Sequence, residues 1–164
     1  MFYGSCNTIK KSRLRYNIID ELNDVKKYFL FILSIFITKK MECPCCSGKE
    51  YKDCCEPYHK DELLPKTPEV LMRSRYSAFS LHLVDYLVET THPSKRPYHS
   101  KSEIDQWSKQ NTWLKLIVVK AWDNYVHFKA YYQDHLGDFY EHEELSAFQK
   151  EGSKWYYVDG KFDL

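Results

Sequence analysis

Residues 113–133 read WLKLIVVKAWDNYVHFKAYYQ. The first half is dense in β-branched residues, and Asp123-Asn124 punctuates it as a turn. In Tyr125–Gln133, Val126, Phe128, Ala130 and Tyr132 fall on one face, with His127 and Lys129 on the other. That period of two is the mark of a half-buried strand. Two more strands follow, Asp138–Phe148 and Lys154–Val158, with turn signals at Asp134–Gly137, Glu151-Gly152 and Asp159-Gly160. Four strands joined by hairpin-length turns predict an antiparallel sheet.

Upstream of this run the pattern is helical. Thr67-Pro68-Glu69 offers an N-cap, a proline at the first helical position and an acid in the first turn. Met72, Tyr76, Phe79, Leu83 and Tyr86 recur at spacings of three and four, which is one helical face. Helix is expected to about Thr90, with any break near Ser80–His82, and it must end before Pro93. Residues 93–102 read as loop, and Ser102–Lys109 as a short helix. Helices followed by a strand meander indicate an α+β domain.

The chain has 164 residues, long enough for one core, with 43% hydrophobic and 29% charged residues, which excludes a wholly disordered chain. Five glycines and no G-x-G-x-x-G or P-loop exclude the common phosphate-cradling loops. A net charge of +1 argues against a dedicated nucleic-acid binder. The balance is uneven: residues 1–40 carry eight Lys and Arg against three Asp and Glu, and residues 41–164 carry sixteen against twenty. The apolar stretch Tyr28–Thr38 lies between lysine pairs and is too short to span a membrane, which takes about 20 residues. It reads as an interfacial anchor, as a helix or strand packed on the domain, or as upstream sequence with Met41 the true initiator. The last reading is preferred.

Six cysteines occur, five of them in CPCCSGKEYKDCC, residues 43–55. Two thiol clusters across a short loop suit a tetrahedral Zn²⁺ held by thiolates. Adjacent Cys54 and Cys55 are poor disulfide partners. Pro44 fixes the backbone of a tight knuckle, and Ser47–Glu50 has the S-x-x-E form of a capping box, predicting a helix from about Lys49 to Cys55. Lys49 and Lys52 would offset thiolate charge. His59 is a possible substitute ligand and more often such a residue is exposed.

CPCCSGKEYKDCC resembles the SEC-C motif, the zinc-binding segment found at the C-terminus of the preprotein-translocase motor ATPase. The resemblance implies Cys43, Cys45, Cys54 and Cys55 as ligands of one structural Zn²⁺. Cys46 stands where the family usually has glycine, and Cys43 with Cys46 forms the commoner C-x-x-C knuckle, so Cys46 competes with Cys45 on pattern alone; spacing to Cys54 favours Cys45. A left-handed backbone at Cys46 would cost about 1–2 kcal/mol. The segments LLPKTPEVLMRSRYSAFSLHLVDYLVETTHPSKR and HEELSAFQKEGSKWYYVDG are similar to the YchJ-type (UPF0225) family. This implies an NTF2-like cone, with helices on a curved sheet enclosing a pocket. The organisation expected is a 1–40 extension, a 41–58 SEC-C unit and a 59–164 NTF2-like domain. The resemblance implies that many family members carry a second, C-terminal SEC-C motif, and none is expected within residues 59–164 of this sequence.

The body carries less legible chemistry. Arg73, Tyr76, His92 and Trp155 are the candidate pocket residues. One of Arg73 and Arg75 is expected to pair with Glu141 or Glu143. His92 reads as a helix-end residue before it reads as a general base, and strand alternation sets His142 opposite Glu141 and Glu143. The favoured function is a cytoplasmic zinc-binding adaptor that presents the knuckle, Lys49 and Lys52 to a protein partner, without a membrane span. The alternative is a small-molecule binder or enzyme working in the pocket. Four thiolates leave no open coordination position, which excludes metal-centred catalysis.

Overall fold

The computed structural model describes residues 41–162. The expectations for residues 1–40 lie outside them. Four helices precede the sheet: α1 (Glu56–His59), α2 (Pro68–Ser80), α3 (Val84–Glu89) and α4 (Lys101–Gln110). The strands are β1 (Thr112–Trp122), β2 (Tyr125–Gln133), β3 (Phe139–Glu151) and β4 (Lys154–Lys161), an antiparallel meander in the order β1-β2-β3-β4. Among the described residues no helix is long and apolar enough to cross a membrane.

The caps follow the local sequence. Thr67 accepts from Val70 N at the start of α2, and Ser100 accepts from Glu103 N at the start of α4. Between α2 and α3 the chain turns at His82, whose φ of 57° belongs to the left-handed region. The expected apolar stripe is therefore divided. Leu71, Met72 and Tyr76 join Leu116, Val126, Phe128, Ala130 and Phe148 beneath the sheet. Tyr86 and Leu87 instead pack with Ala78, beside Phe79, Leu83 and Ile104.

The sheet curves because β1 and β4 carry extra residues, Leu114 and Val119 on β1 and Val158 on β4. Register shifts occur between Trp113 and Lys115, between Val118 and Lys120, and between Ala147 and Phe148. Such bulges bend a strand and sharpen its twist. Val126 lies opposite Ser146, Phe128 opposite Glu144, and Ala130 opposite His142, so these six share the concave face. The outer face carries His127, Lys129, Glu141 and Glu143, with Lys129 Nζ 2.7 Å from Glu141 and His127 Nε2 2.7 Å from Glu143. These pairings correct the expectation that Arg73 or Arg75 meets Glu141 or Glu143: the two acids face away from the helices.

Candidate metal centre and cavity

The cysteine segment folds as a knuckle closed by short backbone bonds. Cys43 N donates to Lys49 O at 2.8 Å and Tyr51 N to Met41 O at 2.8 Å, and Cys46 N reaches Cys43 O at 3.1 Å. The predicted helix over 49–55 is reduced to a single 3-10 turn, Tyr51–Asp53, with Glu50 at its start making no side-chain cap. The reason lies in Ser47. Its hydroxyl accepts from Lys49 N at 3.3 Å and contacts Cys54 Sγ at 3.2 Å, so it serves the sulfur cluster and leaves N3 uncapped.

The Sγ atoms of Cys43, Cys45, Cys54 and Cys55 all lie within 4.8 Å of one another. Cys45 and Cys54 are 3.6 Å apart, and Cys54 and Cys55 are 3.9 Å apart. A tetrahedral ion with metal–sulfur bonds of about 2.3 Å sets its sulfurs about 3.8 Å apart, so the donor set fits. Protons shared among the sulfurs pull the Cys43 thiol down through bonds with Cys45 and Cys55, and push Cys55 up through bonds with Cys43 and Cys45. Cys46 stands outside the group. It is exposed, has a φ of 58°, and its Sγ accepts from Leu116 N on β1 at 3.3 Å.

Side chains of α2 hold the knuckle from behind. Arg73 Nε pairs with Glu69 at 2.8 Å, while its Nη1 donates to Cys45 O at 3.2 Å. Ser77 Oγ lies 3.8 Å from Cys43 Sγ. His59 is half-buried and does not join the sulfurs. Its Nε2 must donate to the Ser74 carbonyl at 2.9 Å, which leaves Nδ1 to accept from the Tyr51 hydroxyl at 2.7 Å. Burial holds His59 below the usual imidazole value and lifts Tyr51 to about 12. The helix that carries His59, α1, spans the expected junction between 41–58 and 59–164. Lys52 pairs with Glu50 at 3.2 Å, within its own turn.

The opposite side of α2 borders a cavity of about 210 Å³. Met72, Phe79, Trp113, Phe128 and Phe148 supply apolar walls, and Trp107 on α4 is 41% exposed beside them. The polar lining is Arg75, Tyr76, His142, Glu144, Ser146 and Tyr157. Glu144 is buried and accepts from His142 Nε2 at 2.9 Å and from Ser146 Oγ. A Cβ at Gly160 would overlap the Glu144 carboxylate, so glycine permits the close approach of β4 to this acid. The hydroxyl of Tyr76 is buried with no hydrogen-bond partner among the described residues.

Of the four candidate pocket residues, Tyr76 lines this cavity and the other three lie elsewhere. Arg73 holds the knuckle. His92 follows α3, where its Nδ1 accepts from Ser94 N and its Nε2 bonds Glu151 at 2.8 Å. Trp155 donates through Nε1 to Lys66 O at 3.1 Å on the outside of the core. Arg75 and Glu144 line the cavity and do not stand among the sequence candidates. Both had a signal: Met72, Arg75, Tyr76 and Phe79 share helical spacing, and Glu144 lies two residues from His142 on one strand face.

The chain matches the family model described as "YchJ, middle NTF2-like domain" over residues 67–160 and the SEC-C motif over residues 42–57. It is 45% identical to a UPF0225 protein of Vibrio parahaemolyticus over 126 residues, covering 73% of this chain and 74% of that one. A UPF0225 protein of Actinobacillus succinogenes is 36% identical over 128 residues, 74% of this chain and 82% of the relative. The solution structure of a SEC-C motif containing protein from Rhodopseudomonas palustris superposes with a TM-score of 0.70 at 35% identity, over 75% of this chain and 99% of that one. The crystal structure of a SEC-C motif containing protein from Psychrobacter arcticus gives 0.62 at 34% identity, over 74% and 82%. With the knuckle, the helices and the curved meander all in place, the chain belongs to the UPF0225 family, in which a SEC-C motif precedes a YchJ-type NTF2-like domain.

Proposed function

We propose that Cys43, Cys45, Cys54 and Cys55 hold one structural Zn²⁺ as a staple, and that the NTF2-like body is a small-molecule-binding domain. The observation that carries this reading is the cavity itself: an aromatic-walled space with a half-buried arginine, a buried carboxylate and a tyrosine hydroxyl that has no partner among the described residues. Convergent polar groups in an apolar concavity are the usual form of a ligand site. The zinc would supply shape and no chemistry, because four sulfurs close its coordination. Five thiols within thirteen residues, all free, suit a reducing compartment, which supports a cytoplasmic setting.

The adaptor reading is second. In its favour, the tip of the knuckle from Cys46 to Lys49 is exposed and would be held rigid by a metal. Against its reliance on a basic patch, Lys52 is engaged by Glu50 and Asp53. Calorimetry with indole, a neutral probe of suitable size, tests the first reading. One saturable site per chain is expected, lost in Ala130→Leu, whose longer side chain fills the cavity. Absence of saturable binding to the zinc-loaded full chain would overturn it.

A further inference from the structure

The ligand class follows from Arg75, on the reading of the cavity as a binding site. Arg75 is half-buried on the cavity wall, where desolvation draws its guanidinium below the ordinary arginine value against the pull of Tyr157, Tyr86 and Glu144. Its Nη1 is occupied by neutral acceptors: Leu87 O at 2.8 Å, Thr90 Oγ1 at 2.7 Å and Thr91 Oγ1 at 3.3 Å. The flat face of the guanidinium rests 4.7 Å from the Tyr157 ring centroid. Among the described residues, nothing accepts from Nε or Nη2, and no carboxylate forms an ion pair with Arg75.

Those free N–H groups make up the side-on edge of the guanidinium, the edge that takes a carboxylate through two parallel hydrogen bonds. A partly buried cation with an unfilled donor edge gains from an anion that pairs with that edge directly, which Glu144 does not do. Here the residue with the unfilled edge lines the cavity. Glu144 is the only carboxylate among the lining residues, and both of its oxygens already accept, from His142 and Ser146. Phe79, Trp113, Phe128 and Phe148 offer ring faces and edges to a flat apolar body. An apolar cavity of about 150 Å³ takes a benzene. A volume of about 210 Å³ leaves room for one ring and a short acid.

We infer that the cavity binds a small aromatic monocarboxylate, with its carboxylate on the Nε–Nη2 edge of Arg75 and its ring among Trp113, Phe128 and Phe148. The test is calorimetric titration of the zinc-loaded full chain with phenylacetate, phenylacetamide and phenethylamine, with indole as charge-free reference. Phenylacetate is expected to bind at least tenfold more tightly than the amide, and the amine not to bind. Arg75→Lys keeps a cation but loses the fork, and should weaken phenylacetate at least tenfold while indole is retained. The wild-type ranking stands as a test even if that variant fails to fold. Equal or tighter binding of the amide or amine would overturn the inference, as would an unchanged phenylacetate affinity in folded Arg75→Lys. If indole binds and phenylacetate does not, the acid class is wrong and the cavity reading stands; if neither binds, both are wrong.

Discussion

The knuckle and the cavity occupy opposite faces of α2 and are built by opposite means. On one face, Arg73 and Ser77 meet the cysteine segment, whose four thiols converge within 4.8 Å, and Ser74 O bonds His59 beside it. On the other, Met72, Arg75, Tyr76 and Phe79 border a space whose remaining walls come from α4 and all four strands. The knuckle encloses almost no apolar mass, and its order depends on what binds the sulfurs. The body has its own core in Leu71, Val126 and Phe148, all at 1% exposure or less. A site made of neighbours in sequence is set by coordination chemistry, and a site made of distant residues is set by packing. The two meet along one helix, where disturbance of either reaches the other.

The strongest way to separate them is to remove the metal ligands. Cys54→Ser with Cys55→Ser should abolish zinc binding and strip residues 43–57 of amide-exchange protection. A structural zinc contributes on the order of 10 kcal/mol to its own peptide. The strands should keep a cooperative transition, at a lower midpoint because the bonds from Arg73 and Ser77 to the knuckle are lost. Simultaneous loss of protection throughout the sheet would show that the two regions form one cooperative unit.

The converse change strikes the core. Phe148→Ala should cost about 3–5 kcal/mol of global stability in denaturant titration. The folded protein should retain one zinc per chain, since Phe148 touches the cavity and not the thiols. Loss of metal from still-folded protein would break the comparison from the other side.

The joint between the regions should show an intermediate effect. His59→Ala leaves the Tyr51 hydroxyl and the Ser74 carbonyl without their partner, a loss of about 1–3 kcal/mol. The sign of the pH effect follows from burial, which sets the folded-state pKa of His59 below its unfolded value. The unfolded chain therefore takes up the proton first, and stability falls as pH drops below about 6.5. Denaturant midpoints from pH 8 downward should show that decline in the wild type, and a shallower one in His59→Gln.

The smallest effect is expected at Cys46. Cys46→Gly relieves a left-handed backbone worth about 1–2 kcal/mol. It also deprives Leu116 N of its sulfur acceptor, worth about 0.5–1.5 kcal/mol. The net change should stay within about 1 kcal/mol in a thermal melt. A larger loss would make the contact with β1 the chief role of this residue.

Legibility in the sequence divides along the same line. Thiol spacing, strand alternation from Tyr125 to Gln133 and the Thr67 cap are short-range patterns, and each has its counterpart in the structure. The failures are contacts between distant residues. Ser47 has the spacing of a helix cap, yet it turns to a sulfur seven residues away. The sequence points Arg73 toward a pocket, yet it bonds a carbonyl twenty-eight residues upstream. By sequence His59 is exposed or a substitute ligand, yet it links Tyr51 to Ser74. No local period encodes which of two arginines on adjacent helical faces meets the sheet until the sheet is placed.

The central claim is that a four-thiol set excluding Cys46 holds zinc. Metal content per chain, measured by elemental analysis on purified wild type, Cys45→Ser and Cys46→Gly, tests it directly. The account predicts one zinc in the wild type and in Cys46→Gly, and little or none in Cys45→Ser, since Cys45 is fully buried among the other three sulfurs. Retention of zinc by Cys45→Ser together with its loss from Cys46→Gly would contradict it and assign the knuckle to Cys43 and Cys46.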